Sequence, residues 1–443
     1  MRNYLIALFM FMLLYGNANS QWSYVSSIPS GPYINSISVV DANTIWVCCD
    51  TGKVYKSTNG GLNWLQRNFG LGAGNLYGIS ALDTSNCWIG SVSGTIYYTS
   101  NGGYNWVSQL TVSGSFSDGI KMFNSNYGIY YGDPAGNGQP FQYRYTTNGG
   151  ANWIQSPNAP SGPSEYGVLN GWDWLDTGRV WLGVANIVAN ATNSKVYRTA
   201  TGFASGVWSS GLFGGSGTSQ GLYSQAIGFT NTTNGILGTN ASAFRKTTDG
   251  GTTWTATNSP PGISSYSVSN INSMKDGSNV IRAMIYSLST SSYCFRTTNQ
   301  GVDWTAEPLP VQASIVKIEH MQFLNHALGY AGGGGGVFIK YTGPSEINLA
   351  NNLTPAEYRL AQNYPNPFNP STVINFSIPK AGNVSLKIYD MLGKEICTLV
   401  NEFKSAGNYN YEYNSTSNMT SGIYFYTLTA GNYTETKKFT LIK

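Results

Sequence analysis

Apolar and polar residues alternate over short runs along most of the chain, and Gly, Asn, Asp and Ser separate the runs. "INSISVVD" (Ile34–Asp41), "IWVCCD" (Ile45–Asp50) and "KVYKS" (Lys53–Ser57) set the pattern. Runs this short, β-branched and aromatic, with period-2 alternation, predict strands of a half-buried sheet. The octapeptide "STNGGLNW" (Ser57–Trp64) follows, and the same order of strands and octapeptide then returns. Its further copies are "TSNGGYNW" ending at Trp106, "TTNGGANW" at Trp153, "TTDGGTTW" at Trp254 and "TTNQGVDW" at Trp304, with a degenerate "TATGFASGVW" at Trp208. From Trp64 onward the tryptophans are 42, 47, 55, 46 and 50 residues apart, the period of one four-stranded propeller blade.

A seventh unit, "KIEHMQFLNHALGYAGGGGGVFIKYTG" (Lys317–Gly343), has three strands and no closing tryptophan. "QWSYVSS" (Gln21–Ser27) supplies the missing strand, since Trp22 precedes Trp64 by the same 42 residues that separate Trp64 from Trp106. Pairing the first strand with the last unit removes the free edge that an open ring would leave. The pattern therefore predicts an all-β protein, a seven-bladed β-propeller over residues 21–343. Residues 344–357 lack strand periodicity and read as a linker. From 358 to 443 alternation resumes in "VINFSI", "VSLKIYD", "EICTLV", "IYFYTLT" and "KKFTLI", enough for a small Ig-like β-sandwich. Residues 1–20, "MRNYLIALFMFMLLYGNANS", place one arginine before an apolar run and end in small polar residues. This predicts a secretory signal cleaved after Ser20, the run being too short to span a bilayer. The mature chain is expected to have no transmembrane segment.

Charge narrows the partners. Charged residues are 10% of the chain and the formal net charge is +4, too little and too dispersed for a nucleic-acid binder. Five scattered cysteines (Cys48, Cys49, Cys87, Cys294, Cys397) define no disulfide framework, and an odd number leaves at least one without an intramolecular partner. No P-loop, nucleophile elbow or zinc motif is present; no cofactor and no metal site are expected.

The octapeptide has a local physical job. Its Asn or Asp (Asn59, Asn101, Asn148, Asp249, Asn299) is expected to accept hydrogen bonds from backbone N–H groups two residues on, and the following glycines take positive φ without steric cost. Its tryptophan (Trp64, Trp106, Trp153, Trp254, Trp304) buries a large ring on the returning strand. The pattern resembles the Asp-box, or BNR repeat, of sialidase-like propellers. That resemblance implies a structural turn between third and fourth strands, on the face away from any active site. Calcium is disfavoured because four of the five good copies carry neutral Asn where a hard cation prefers carboxylate.

Candidate chemistry lies at the opposite face, near the start of each innermost strand. Aligning those strands places Asn35, Tyr77, Asp118, Asn170, Gln225, Asn270 and Glu319 in one column, and Ile37, Ile79, Ile120, Trp172, Ile227, Asn272 and Met321 two residues later. Alternation puts both columns on one side of their strands. The column between them (Ser36, Gly78, Gly119, Gly171, Ala226, Ile271, His320) is mostly small. Ligand-binding candidates are therefore Asn35, Tyr77, Asp118, Asn170, Trp172, Gln225, Asn270, Glu319 and His320. Asp118 and Glu319, the two carboxylates of the ring, are the pair a glycosidase would use as acid and base. Sialidase chemistry does not fit, because the arginine triad of that family is missing. The single run of "TNGGxxW" blades also resembles the photosystem II assembly-factor-like propellers, and its repeat style is similar to that of tandem-propeller xyloglucanases, which have two propellers.

In the tail, "YPNPFNPST", "IYDMLGKEI", "SGIYFYTL" and "KKFTLIK" resemble the C-terminal sorting domain of type IX secretion cargo. The resemblance implies a translocon partner, and a product secreted or held on the outer surface of a Gram-negative-type bacterium after signal-peptide export to the periplasm. The expected function is a ligand- or protein-binding scaffold, with a glycan or protein ligand; the alternative is a glycan-active hydrolase at the mouth of the ring.

Overall fold

The computed structural model describes residues 21–343 and 357–442, apart from 69–70, 72–73, 187–193, 214–223, 277, 288–290, 364, 381, 405–406 and 416–418. The expected signal sequence and all but the last residue of the expected linker lie outside the described residues. The chain divides into two compact units, residues 1–345 and 346–443.

The first unit holds seven four-stranded antiparallel sheets among its described residues. Their innermost strands are Ile34–Val39, Leu76–Ala81, Ser117–Met122, Trp172–Trp174, Ser224–Phe229, Tyr266–Ser273 and Ile318–Asn325. Each packs against the innermost strand of the next sheet, and the seventh packs against the first. The unit is a β-propeller. The seventh sheet takes its outermost strand, Trp22–Ser27, from the start of the described chain, paired antiparallel with Val337–Thr342. Trp22 is 1% exposed, its ring set edge-on against Phe323 and Tyr341. Beside it, Arg282 lies over both of those rings and donates to Glu307 and to the Tyr341 hydroxyl, which in turn donates to Gln21.

Neighbouring sheets are stitched by a device absent from the sequence reading. Ser38 Oγ accepts the Ala81 N–H, Ser80 Oγ that of Met122, Asp173 Oδ2 that of Phe229 and Gln322 Oε1 that of Val39, at 2.6–2.9 Å. In each case a side chain on one innermost strand caps a backbone donor on the next, satisfying a buried group that would otherwise be costly. Between the third and fourth sheets Lys121 holds the equivalent position. Its ammonium lies 5.5 Å from the Trp174 ring centre instead, and burial lowers its pKa.

The octapeptides form identical turns. In all five good copies the Ser or Thr hydroxyl accepts the N–H of the residue four positions on, at 2.8–3.0 Å (Gly61, Gly103, Gly150, Gly251, Gly301). The Asn or Asp carbonyl or carboxylate oxygen likewise accepts the N–H four positions further along. Most of the tryptophans then reach sideways, their indole N–H groups donating to the outer strand or adjoining loop of the preceding sheet: Trp64 to Ser26, Trp106 to Arg67, Trp153 to Gln109 and Trp304 to Asn258. Only a residue without a side chain fits at Gly61, which has φ +88 and where a Cβ would stand 2.3 Å from the Phe338 ring.

All five cysteines are free, four of them buried. Burial raises the thiol pKa values of Cys48, Cys87 and Cys294, so they behave as small apolar residues.

The second unit stacks two sheets, one of Arg359–Leu360, Ser371–Ile378 and Gly407–Asn414, the other of Glu395–Lys404, Gly382–Tyr389, Gly422–Ala430 and Tyr433–Leu441. Leu360, Phe368, Ile374, Leu386, Tyr426 and Phe439 are among the side chains that fill the space between.

Candidate functional site

At the mouth of the propeller the ladder between first and second strands carries an extra residue. The register shifts at Asn35, Tyr77, Asp118, Gln225 and Glu319, each unpaired on its innermost strand. A β-bulge of this kind re-aims a side chain and interrupts strict alternation. The expectation that these residues share a side with those two positions later therefore gives way: the residues of the first column are themselves the extra ones of the bulge. In the sixth sheet the shift falls at Ser269. Ser269, not Asn270, is thus the register equivalent of Glu319, and Asn270 aligns with Ser36 and His320. Asn270 is buried with its Oδ1 unpartnered. The fourth sheet has no bulge, and Asn170 forms a bridge to Ala226 just ahead of Trp172–Trp174.

Most of the column is buried, and two of its asparagines are bonded to backbone. Asn35 Nδ2 donates to Leu76 O at 2.8 Å. Asn170 reaches from the fourth sheet to the sixth and seventh, donating from Nδ2 to Ser269 O (2.8 Å) and Glu319 O (3.0 Å). Ser269 Oγ donates to Ile318 O at 2.7 Å. Asn170 thereby ties together sheets that are not neighbours in the ring. Trp172 lies across Gly119, where a Cβ would be 2.4 Å from its ring, so a large side chain packs against a small one between the third and fourth sheets. His320 Nδ1 is 3.4 Å from Ser36 Oγ, and desolvation lowers its pKa to about 4, so it is neutral at physiological pH.

Asp118 and Glu319 have different surroundings. Asp118 is 3% exposed and its Oδ2 has no hydrogen-bond partner. Gly167 covers it: a Cβ there would stand 2.0 Å from Oδ2. Burial, reinforced by the Asp133 carboxylate, raises the Asp118 pKa well above its ordinary value. Asp133, which accepts the Gly167 N–H at 2.6 Å, is itself pushed up to about 6 by burial. Glu319 is occupied at one oxygen by two donors: Tyr33 OH at 2.8 Å and Lys317 Nζ at 2.7 Å. Lys317 also lies 4.5 Å from the Tyr286 ring centre. Burial is the main cause of a raised Tyr33 pKa, with Glu319 adding to it.

The half-buried side chains at this end include four tyrosines, Tyr33, Tyr77, Tyr166 and Tyr286, alongside polar residues such as Asn75, Asp133, Lys317 and His320. Tyr77 takes a hydrogen bond from Asn75 and packs 4.6 Å from Phe116; Gln225 is also half-buried. Reading the sequence column by column found Tyr77 but missed Tyr33, Tyr166, Tyr286 and Lys317. Tyr33, Phe116 and Lys317 share the position two residues before the bulge, a periodicity that was available. Tyr166 and Tyr286 stand on segments outside the aligned strands. Among the described residues no group of three or more His, Cys, Asp or Glu gathers as a metal site, and no helix is long and apolar enough to cross a membrane.

Fold and site together define a β-propeller joined to a β-sandwich, and the sandwich has a recognised family. Residues 362–443 match the secretion system C-terminal sorting domain; the chain carries a type IX secretion tail and is exported by that route to the cell surface or beyond. No curated protein matches the chain significantly. The fold of the first unit is shared with solved propellers. A YCF48 structure bound to a D1 peptide has TM-score 0.55 at 16% identity, covering 74% of this chain and 98% of that one. YCF48 from Cyanidioschyzon merolae gives 0.54 at 17%, covering 72% and 98%. A GH74 xyloglucanase from Xanthomonas campestris gives 0.54 at 12%, covering 80% of this chain and 59% of the enzyme. At these identities the likeness is one of fold.

Proposed function

We propose that the exported propeller is a binding module whose contact surface is the mouth lined by Tyr33, Tyr77, Tyr166 and Tyr286, and that the octapeptide turns are structural clamps with no part in ligand contact. The observation that carries this reading is the state of the two ring carboxylates. Asp118 is shut behind Gly167, and the Glu319 carboxylate is held by Tyr33 and Lys317. A glycosidase needs both carboxyl groups facing one substrate bond. Half-buried tyrosines offer broad amphipathic contact at low conformational cost, as protein-binding surfaces require. The similar fold of a YCF48 structure that holds a peptide is consistent with a peptide or protein ligand here.

The test pairs two measurements on the purified full chain. Binding to a peptide library should be detectable and should weaken about tenfold or more on Tyr77→Ala or Tyr286→Ala, the usual cost of truncating an aromatic anchor. Hydrolysis of xyloglucan and other β-glucans should stay at the level of the Asp118→Asn and Glu319→Gln variants. Turnover that those two substitutions abolish would replace the binding reading with the hydrolase one.

A further inference from the structure

The sorting unit has a second feature that core packing does not account for. Its exposed large apolar side chains among the described residues are Met391 (71% exposed), Leu392 (94%), Ile396 (38%), Ile423 (40%) and Ile442 (51%). Register brings all five to one end of one sheet. Tyr389 pairs with both Glu395 and Phe425, which sets the hairpin tip Met391–Leu392 beside Ile396 on one flank and Ile423 on the other. Gly422 pairs with Leu441, which adds Ile442 at the same end. The opposite end of the sheet, around Asn383, Gly431 and Thr434, is polar.

The tip is held in shape. Asp390 Oδ1 accepts the N–H groups of Leu392 and Lys394, both at 2.9 Å. Asp390 N–H donates to Lys394 O at 3.0 Å, and Gly393 takes φ +81. The turn therefore presents Met391 and Leu392 to solvent in a fixed geometry, where binding costs little ordering entropy. A cluster of exposed large apolar side chains at one end of a module is the kind of surface that marks an interaction site.

We infer that this apolar sheet end, centred on Met391 and Leu392, is the surface by which the sorting unit docks into an apolar socket on a protein of the type IX secretion machinery. The inference rests on the assignment of residues 362–443 as the sorting domain, since recognition by that machinery is the property attached to this unit and the patch lies within it. A lipid surface fits less well. The rim carries both signs, with Asp390 and Glu395 beside Lys394 and Lys438 and with Lys387 paired to Glu395, whereas interfacial anchors surround their apolar face with lysine and arginine.

The test is export of the full chain from a host with a working type IX system, comparing Leu392→Asp, the double variant Leu392→Ser/Ile442→Ser, the control Thr434→Asp at the polar end, and a deletion of residues 358–443. Both patch variants should lower the extracellular and surface-bound amount by at least about tenfold, the scale of losing a central apolar anchor, with precursor retained in the periplasm. Thr434→Asp should export normally. Thermal melts of the purified variants should match the unsubstituted protein, because the replaced side chains are exposed. Normal export of the patch variants while the deletion is retained would overturn the docking surface and leave the sorting assignment standing. Normal export of the deletion would overturn the assignment itself. Binding of the purified full chain to phospholipid vesicles, or self-association, lost in Leu392→Asp while export is unchanged would give the patch to a membrane or to a second copy and refute the proposal.

Discussion

Asp118 shows how burial alone produces a feature that looks catalytic. A raised carboxyl pKa in a ring mouth is a common signature of a general acid, yet here the cause is desolvation, with Asp133 second, and one oxygen faces Gly167 with no partner. The consequence is a stability that depends on pH. An acid whose folded pKa stands above its unfolded value, about 3.9 for Asp, contributes its full stability below the unfolded value and loses it as pH rises through the folded one. Asp133, at about 6, loses its share between roughly pH 4 and 6, and Asp118 extends the loss to higher pH. Asp118→Asn removes the part that comes from Asp118. The variant should gain about 3 °C or more in Tm relative to the unsubstituted protein on moving from pH 4.5 to pH 8, at the few degrees per kcal/mol expected for a domain of this size. Scanning calorimetry at the two values checks it, and an offset that does not change with pH would show that Asp118 is ionised in the fold.

Among the elements, the five good octapeptide turns carry the most repeated local design, and each hangs on one hydroxyl. Thr146 Oγ1 accepts the N–H groups of Asn148 (3.3 Å) and Gly150 (2.8 Å) and donates to Asn148 Oδ1 (3.0 Å). Thr146→Ala strands the buried Gly150 donor, so a loss of about 1–3 kcal/mol is expected, read by urea denaturation; Thr146→Ser should restore most of it. Much of this level was legible in the sequence. The octapeptide spacing located the sheets, and Asn or Asp before two glycines in four of the five copies, with Gln300 in place of the first glycine in the other, named the turn, because both follow from backbone requirements that only a few residue types meet. The bulges were not legible. An unpaired residue leaves no mark in the alternation of a strand whose neighbours are all buried, and "SVSNINS" fits equally well with Ser269 or Asn270 as the extra position. For the same reason the stitching by Ser38, Ser80, Asp173 and Gln322 was invisible: it depends on which backbone donor the neighbouring sheet presents. The patch of Met391, Leu392, Ile396, Ile423 and Ile442 needs the register of four strands before its members become neighbours.

At the scale of the molecule, the propeller depends on a contact between its two ends. Trp22–Ser27 covers the edge of Val337–Thr342, Trp22 is seated against Phe323 and Tyr341, and Ser26 receives the Trp64 indole from the first sheet. One short strand thus serves two sheets at the place where the ring would otherwise open. Deleting residues 21–27 uncovers a row of unpaired backbone groups, exposes the Trp22 socket and leaves the Arg282–Glu307 pair open to water on one side. The truncated chain should unfold at a Tm lower by about 10 °C or more, on the scale of a lost aromatic core residue and its strand, and should self-associate through the bared edge. The sorting unit offers an internal control, because the described core side chains between its sheets come from residues 358–441 and its own transition should stay where it was. Calorimetry of the full chain and of the truncated one separates the two transitions; equal displacement of both would mean that the units unfold as one and that closure acts on the whole chain.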